Sequence, residues 1–245
     1  MLSELERILV RTLGSGQTTL TVLSKEWLSD SFVRVTVDCG QLFSFTPAFP
    51  TLWLRLWFPA GDAFWHQRAF TIVGADEQRG RAHIEFTLHD GIASDWARAA
   101  EPGWTIQASL LGSKTPWGLH VDELATSTSK PIVLVGDMAS LPAMNSLLGT
   151  LVTTPITAVV ENRLASDAQV PVCASSRHQV IRCQHDSGPS VTDVAAQCVA
   201  QSGDSPRVWV ALEAGKTRSL VKRLRADYGI TKTDLCSLGY WKAVA

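Results

Sequence analysis

Apolar and polar residues alternate through most of the first 110 positions, at the two-residue period of half-buried strands. Across residues 31–37, Phe32, Arg34 and Thr36 share one face, and Val33, Val35 and Val37 take the other. Residues 51–58 put Leu52, Leu54, Leu56 and Phe58 on one side and Trp53, Arg55 and Trp57 on the opposite one. Further runs at 18–24, 68–73, 81–88 and 104–111 bring the expectation to six strands. Pro47, Pro50 and the turn Pro59-Ala60-Gly61-Asp62 separate them, because proline offers no ladder donor. One short helix is expected at 94–100, stopped by Glu101-Pro102-Gly103, and an amphipathic segment at 1–16 precedes the strands. Short strands at this spacing predict a small antiparallel barrel.

After about residue 125 the pattern changes. Thr126-Ser127-Thr128-Ser129 reads as a polar linker, and residues 131–135 form a continuous apolar run that suits a strand buried on both faces. Strands at 155–161, 179–183, 207–212 and 234–240 alternate with helices reaching about 151 and spanning 191–200 and 216–228. Such alternation predicts a parallel α/β sheet. The expected fold is thus two-domain: an N-terminal antiparallel six-stranded β-barrel over 1–125, and a C-terminal α/β parallel-sheet domain over 126–245.

Composition narrows the function classes. With 45% apolar and 18% charged residues, the 245-residue chain is of the folded globular kind. A net charge of −1 gives no general attraction to nucleic acid or acidic membranes, so any anion-binding surface must be local. No apolar run approaches the roughly 20 residues of a membrane span. The first residues lack the basic start and apolar core of a secretory signal, which makes cytoplasm the expected compartment. Cys39, Cys173, Cys183, Cys198 and Cys236 are widely spaced without a Cys-x-x-Cys pair. They are expected to be reduced and mostly buried, with no metal site. The nine tryptophans are core bulk, or one or two of them line a flat aromatic ligand site.

Two segments carry candidate chemistry. The first is His66-Gln67-Arg68-Ala69-Phe70-Thr71-Ile72-Val73, an apolar-alternating run with an arginine at its mouth. An arginine fork suits phosphate oxygens, an aromatic ring can stack on a flavin, and a hydroxyl can reach the flavin's reactive nitrogen. Read alone, the run is an ordinary core strand with a rim arginine. The second is Leu88-His89-Asp90-Gly91-Ile92-Ala93-Ser94, where glycine permits a tight strand-to-helix turn and Ser94 is an expected N-cap. The free N–H groups of such a helix suit a pyrophosphate. Farther on, Gly136-Asp137 follows a buried strand but is no Gly-x-Gly-x-x-Gly fingerprint. Glu161 is a candidate ribose contact, and Arg163, Arg177 and Arg182 are candidates for a 2′-phosphate. The basic helix from Lys216 to Arg225 reads as a solvated face.

Arg68 to Thr71, Leu88-His89, Gly91 to Ala97, Gly136-Asp137-Met138-Ala139-Ser140-Leu141-Pro142-Ala143 and Gly239-Tyr240-Trp241-Lys242, in this order, resemble the siderophore-interacting protein family. These are FAD-containing ferric-siderophore reductases of the ferredoxin-reductase type. The resemblance covers nearly the whole chain. It implies an FAD-binding barrel and a nicotinamide-binding α/β domain, with NADPH or NADH as electron donor. Arg68, Phe70, Thr71 and Ile72 would hold the flavin, and His89, Gly91, Ala93 and Ser94 would line its phosphates and ribityl chain. Gly136, Asp137 and Ser140 would face the nicotinamide cofactor. Arg55, Lys114 and Lys242 match the family's basic positions and would attract an anionic ferric siderophore. Relatives usually have tyrosine in place of Phe70 and often a basic residue in place of Val73. Ring stacking survives the first change, while a phenol hydrogen bond does not. The implied protein is a monomer that binds no nucleic acid, inserts in no membrane and needs no catalytic acid or base. Two other readings remain: a flavin reductase of the same fold with another electron acceptor, and a siderophore-binding protein without enzymatic activity.

Overall fold

The computed structural model describes residues 16–60, 65–110, 113–119, 123, 130–203 and 205–243. The amphipathic segment expected at 1–16, Gly16 apart, and the polar linker at 126–129 lie outside them. Two compact units divide between Lys114 and Thr115. The boundary read from the sequence, 125/126, falls in a stretch largely outside the described residues.

The first unit is a closed six-stranded barrel. Its strands are β1 (Gly16–Ser29), β2 (Phe32–Asp38), β3 (Trp53–Pro59), β4 (Trp65–Asp76), β5 (Arg81–Thr87) and β6 (Thr105–Leu110), in the order β1-β2-β5-β4-β3-β6. The barrel strands pair antiparallel throughout the described residues. Alternation works as expected: Leu54, Leu56 and Phe58 are fully buried with Val33, Val35 and Ile84. β1 runs to Ser29, beyond the 18–24 expected from sequence, because its polar end completes a ladder with β2. There Glu26 stands opposite Arg34 and Trp27 opposite Val33. Lys25 and Glu26 broke the apolar pattern without breaking the strand, since cross-strand pairing outweighs local polarity. A short helix, α1 (Leu42–Phe45), buries Leu42 just before the expected proline turn. The helix α2 (Ile92–Ala99) packs against β2, β3 and β5.

The second unit is a five-stranded parallel sheet in the order β11-β10-β7-β8-β9. These strands are β7 (Ile132–Asp137), β8 (Ile156–Asn162), β9 (His178–Gln184), β10 (Arg207–Glu213) and β11 (Leu235–Trp241). The central strand β7 is buried at all six positions, as its unbroken apolar run requires. The helices are α3 (Leu141–Thr150), α4 (Val191–Gln201) and α5 (Ala214–Tyr228). Glu213 caps α5, accepting from the Gly215 and Lys216 N–H groups, and Gly229 ends it in the left-handed conformation at φ 64°. Strand order reverses between β7 and β10, the place where open α/β sheets leave a crevice at their carboxyl ends.

Cysteine burial is less complete than expected. Cys39 and Cys183 are buried, Cys198 and Cys236 are half-buried, and Cys173 is exposed. Burial, with Asp38 beside it, pushes the Cys39 thiol up to about 12, which keeps it unreactive at neutral pH. Among the described residues no helix is long and apolar enough to cross a membrane.

Leu54 lies at the centre of the barrel core with no exposure. Leu54→Ala is expected to cost about 2–5 kcal/mol, seen as a lower urea midpoint with an unchanged slope.

Candidate functional site

The site in the first unit is assembled by four aromatic rings. Phe70 projects toward the core side of β4, with its ring centroid 4.5 Å from Phe86 of β5 and 6.0 Å from Phe58 of β3. Phe58 and Phe86 each lie 5.9 Å from Trp96 of α2. Edge and tilted contacts of this kind add packing energy beyond area burial. They join the strand bearing Arg68 to the helix that begins after Gly91. Phe70 is partly buried, with its ring packed against the barrel core.

Arg68 and Phe70 share a strand face, as their spacing dictates. Arg68 is exposed, donates Nη1 to the Gln67 carbonyl at 2.8 Å, and pairs with no carboxylate among the described residues. Thr71 is buried beside it and stands opposite Trp53 in the ladder with β3. Ile72 is a core residue opposite Ile84 and continues the strand face that carries Phe70.

The turn into α2 differs from the expected one. The helix starts at Ile92 with Gly91 as N-cap, and Ser94 sits inside its first turn. Ser94 Oγ, almost fully buried, reaches back to accept the His89 N–H at 3.1 Å. It therefore braces the turn from the third helical position, as the third residue of a capping box does. The spacing signal pointed to a serine cap, but the hydroxyl can satisfy the turn only from within the helix. Gly91 has φ 138°, a conformation open to glycine alone, and a Cβ there would find only the His89 ring at 3.8 Å. The approach to the helix N-terminus is thus uncluttered. Its first N–H groups are without intrahelical acceptors until Asp95 bonds the Gly91 carbonyl at 3.0 Å. His89 is exposed, its Nδ1 lying 2.7 Å from the Asp90 carbonyl, while Ala93 is buried under the turn. An exposed arginine, a fixed aromatic ring and an unobstructed helix N-terminus fit a flavin dinucleotide: the cation and N–H groups for its pyrophosphate, the ring for its isoalloxazine.

Gly136, Asp137 and Ser140 lie at the carboxyl end of β7, beside the reversal of strand order. A Cβ on Gly136 would stand 2.3 Å from Ser140 Oγ and 2.5 Å from Met144 Sδ, so close packing of α3 requires glycine. Asp137 Oδ1 accepts from the N–H groups of Ala139 and Ser140 at 3.0 and 3.2 Å. Asp137 Oδ2 accepts the indole N–H of Trp241 at 2.7 Å. The Ala139 and Ser140 amides are consequently taken by Asp137 and are not free to hold a phosphate. Burial is the main cause of a raised Asp137 pKa, opposed by the bonds from Trp241 and Ser140 and reinforced by nearby Glu161.

Glu161, at the end of β8, is also committed. Lys216 Nζ bonds its two oxygens at 2.7 and 2.8 Å, and His185 Nδ1 lies 3.1 Å from Oε1. Lys216 thus belongs to a buried-edge ion pair and not to a plain solvated face. Of the arginines suggested for a 2′-phosphate, Arg182 is built into the fold: it donates to Asn162 Oδ1 and to the carbonyls of Asp167 and Val170. Arg177 precedes β9 at the amino end of the sheet, whereas Arg163 follows β8 at the carboxyl end. Lys114 and Lys242 are exposed, and Arg55 is half-buried. The Trp241–Asp137 and Lys216–Glu161 pairs join residues 104 and 55 positions apart, which no local pattern announces.

The raised Asp137 pKa sets a pH dependence. Between about 4, the usual aspartate value, and the raised one, the folded chain holds a proton that the unfolded chain has lost. Wild type should therefore gain stability relative to Asp137→Asn as pH falls through that window, read from urea midpoints of both proteins. A constant difference between them would refute the assignment. Gly136→Ala is expected to lower stability by about 1–3 kcal/mol through overpacking, read as a lower urea midpoint.

Known proteins give this geometry a context. The family model for siderophore-interacting protein matches residues 129–244, and the model for the siderophore-interacting FAD-binding domain matches residues 61–109. A mycobactin import ATP-binding/permease protein, IrtA, of Mycolicibacterium thermoresistibile is 33% identical over 239 residues, covering 96% of this chain. The chain spans only 26% of that relative's length. The siderophore-interacting protein of Acinetobacter baumannii superposes with a TM-score of 0.76 at 19% identity, covering 93% of this chain and 91% of the other. A flavohemoglobin of Malassezia yamatoensis with bound FAD and heme superposes with a TM-score of 0.70 at 14% identity, over 96% of this chain and 63% of the other. The fold is that of ferredoxin-reductase-like flavoproteins, and the chain belongs to the siderophore-interacting protein family.

Proposed function

We propose that this chain is an FAD-dependent ferric-siderophore reductase that draws electrons from NAD(P)H and reduces chelated Fe(III) to Fe(II). One observation carries the reading: Phe70, two residues from Arg68 on the same face of β4, is packed through Phe58 and Phe86 onto Trp96 of the helix that begins after Gly91. FAD, when held there, would supply hydride acceptance from the nicotinamide and single-electron delivery to the metal.

The chain's own residues bind and orient. Arg68 and the first N–H groups of α2 would neutralise a pyrophosphate. Phe70, wedged by two rings, would present a ring in one direction, and Thr71 and Ile72 would fix the strand behind it. His89, Gly91, Ala93 and Ser94 would shape the turn around the phosphates. In the second unit, Gly136, Asp137 and Ser140 would border the nicotinamide crevice. Since the Ala139 and Ser140 amides are taken by Asp137, donor phosphates would be met elsewhere, with Arg163 well placed at the carboxyl end of β8. Arg55, Lys114 and Lys242 would draw in an anionic ferric siderophore in a chain of otherwise neutral charge. Each NAD(P)H carries two electrons, enough for two Fe(III). Oxygen chelators hold Fe(II) less tightly than Fe(III), so reduction frees the metal without a protein ligand to iron. We place this activity in the cytoplasm and in a monomer.

A purified sample is expected to show flavin absorption, alone or after incubation with FAD. That absorption should bleach anaerobically with NADPH or NADH and return on adding a ferric siderophore, with Fe(II) trapped by a colorimetric chelator. A protein that stays colourless after FAD incubation overturns the reading. Reduction of quinones or iron–sulfur proteins in preference to every ferric chelate would reassign the acceptor. Arg68→Ala should weaken FAD binding about 10–100-fold, the worth of a charge-assisted hydrogen bond, as read by quenching of flavin fluorescence.

A further inference from the structure

Arg55 stands on the outer face of β3, which it shares with Trp53 two residues earlier. Its Cζ lies 5.4 Å from the Trp53 ring centroid, within cation–π range. Nη1 donates to Gln67 Oε1 of β4 at 3.0 Å, and Nε is buried without an acceptor. No carboxylate among the described residues pairs with this arginine. A half-buried guanidinium left without an anion has lost hydration it has not recovered. Ala69, directly opposite Arg55 in the ladder, is exposed and too small to cover the cation. Trp53 does a second thing: its main-chain N–H donates to Ser113 Oγ at 3.1 Å, pinning the segment that continues into Lys114. One tryptophan thus flattens one cation and anchors the chain position of another.

We propose that Trp53 is the positioning residue of an anion subsite on this barrel face, with Gln67 as its second support and a negatively charged metal chelate as its ligand. The proposal rests on the ferric-chelate reading above and sharpens it. The indole holds the guanidinium plane against β3, Gln67 fixes its rotation, and the remaining donors point to the oxygens of a catecholate-type complex. A chelate without negative charge gains nothing from this arrangement.

The test is calorimetric titration of the full FAD-loaded chain with two redox-inert probes: an anionic gallium(III) tris-catecholate and a gallium(III) trihydroxamate of no negative charge. Trp53→Leu should weaken the anionic probe about tenfold, close to the effect of Arg55→Gln, and leave the other probe unchanged. Trp53→Phe should retain most of the affinity, and the salt dependence of wild type should flatten in Arg55→Gln. Should Trp53→Leu not fold, Gln67→Leu carries the test in the same direction. Wild-type affinity in Trp53→Leu alongside a loss in Arg55→Gln would sink the positioning role and spare the ferric-chelate reading. Equal losses for both probes would make Trp53 a general packing residue and overturn the proposal. Failure of wild type to bind either probe would remove the ferric-chelate reading, and this subsite with it.

Discussion

The contact between Phe70 and Phe86, 4.5 Å between ring centroids, is the interaction on which the first unit's site depends. Strands β4 and β5 are ladder neighbours, but the ladder alone does not fix where α2 lies. The rings do, since Phe86 and Phe58 both reach Trp96. An arginine and a helix N-terminus bind one anion together only when a rigid body holds both.

Charge is allocated with the same economy. The chain is nearly neutral, yet its cations differ in kind. Arg34 is spent on buried Glu85, Lys130 on Asp234, Arg182 on carbonyls, and Lys216 on Glu161. Among the described residues, Arg55 bonds a neutral amide beside the Trp53 ring, and Arg68 bonds a carbonyl, with no carboxylate on either. A cation already satisfied by an acid offers little to an anionic ligand, whereas one held by neutral groups keeps its field. The distinction separates scaffold from site more sharply than residue type does.

In the second unit, Asp137 works as a crosspiece. It closes the turn after β7 and reaches the indole of Trp241, two strands away across β10. A buried carboxylate is costly unless several donors meet it, and here three do. The carboxyl ends of β7 and β11 are thereby fixed relative to each other at the reversal of strand order.

The sequence by itself determined the barrel followed by a parallel α/β unit. It did so because each strand's burial is written locally, in alternation for β3 and in an unbroken apolar run for β7. It also marked Arg68, Gly91, Asp137 and Trp241 as parts of motifs. Tertiary structure alone decided what those residues do. Ser94 braces the turn from inside the helix, Glu161 is closed off by Lys216, and the Arg55 guanidinium lies over the Trp53 ring. Local periodicity encodes which face of an element is buried, because that depends on neighbours along the chain. Partners brought together from 104 residues apart depend on strand order and packing, and those exist only once the chain has folded.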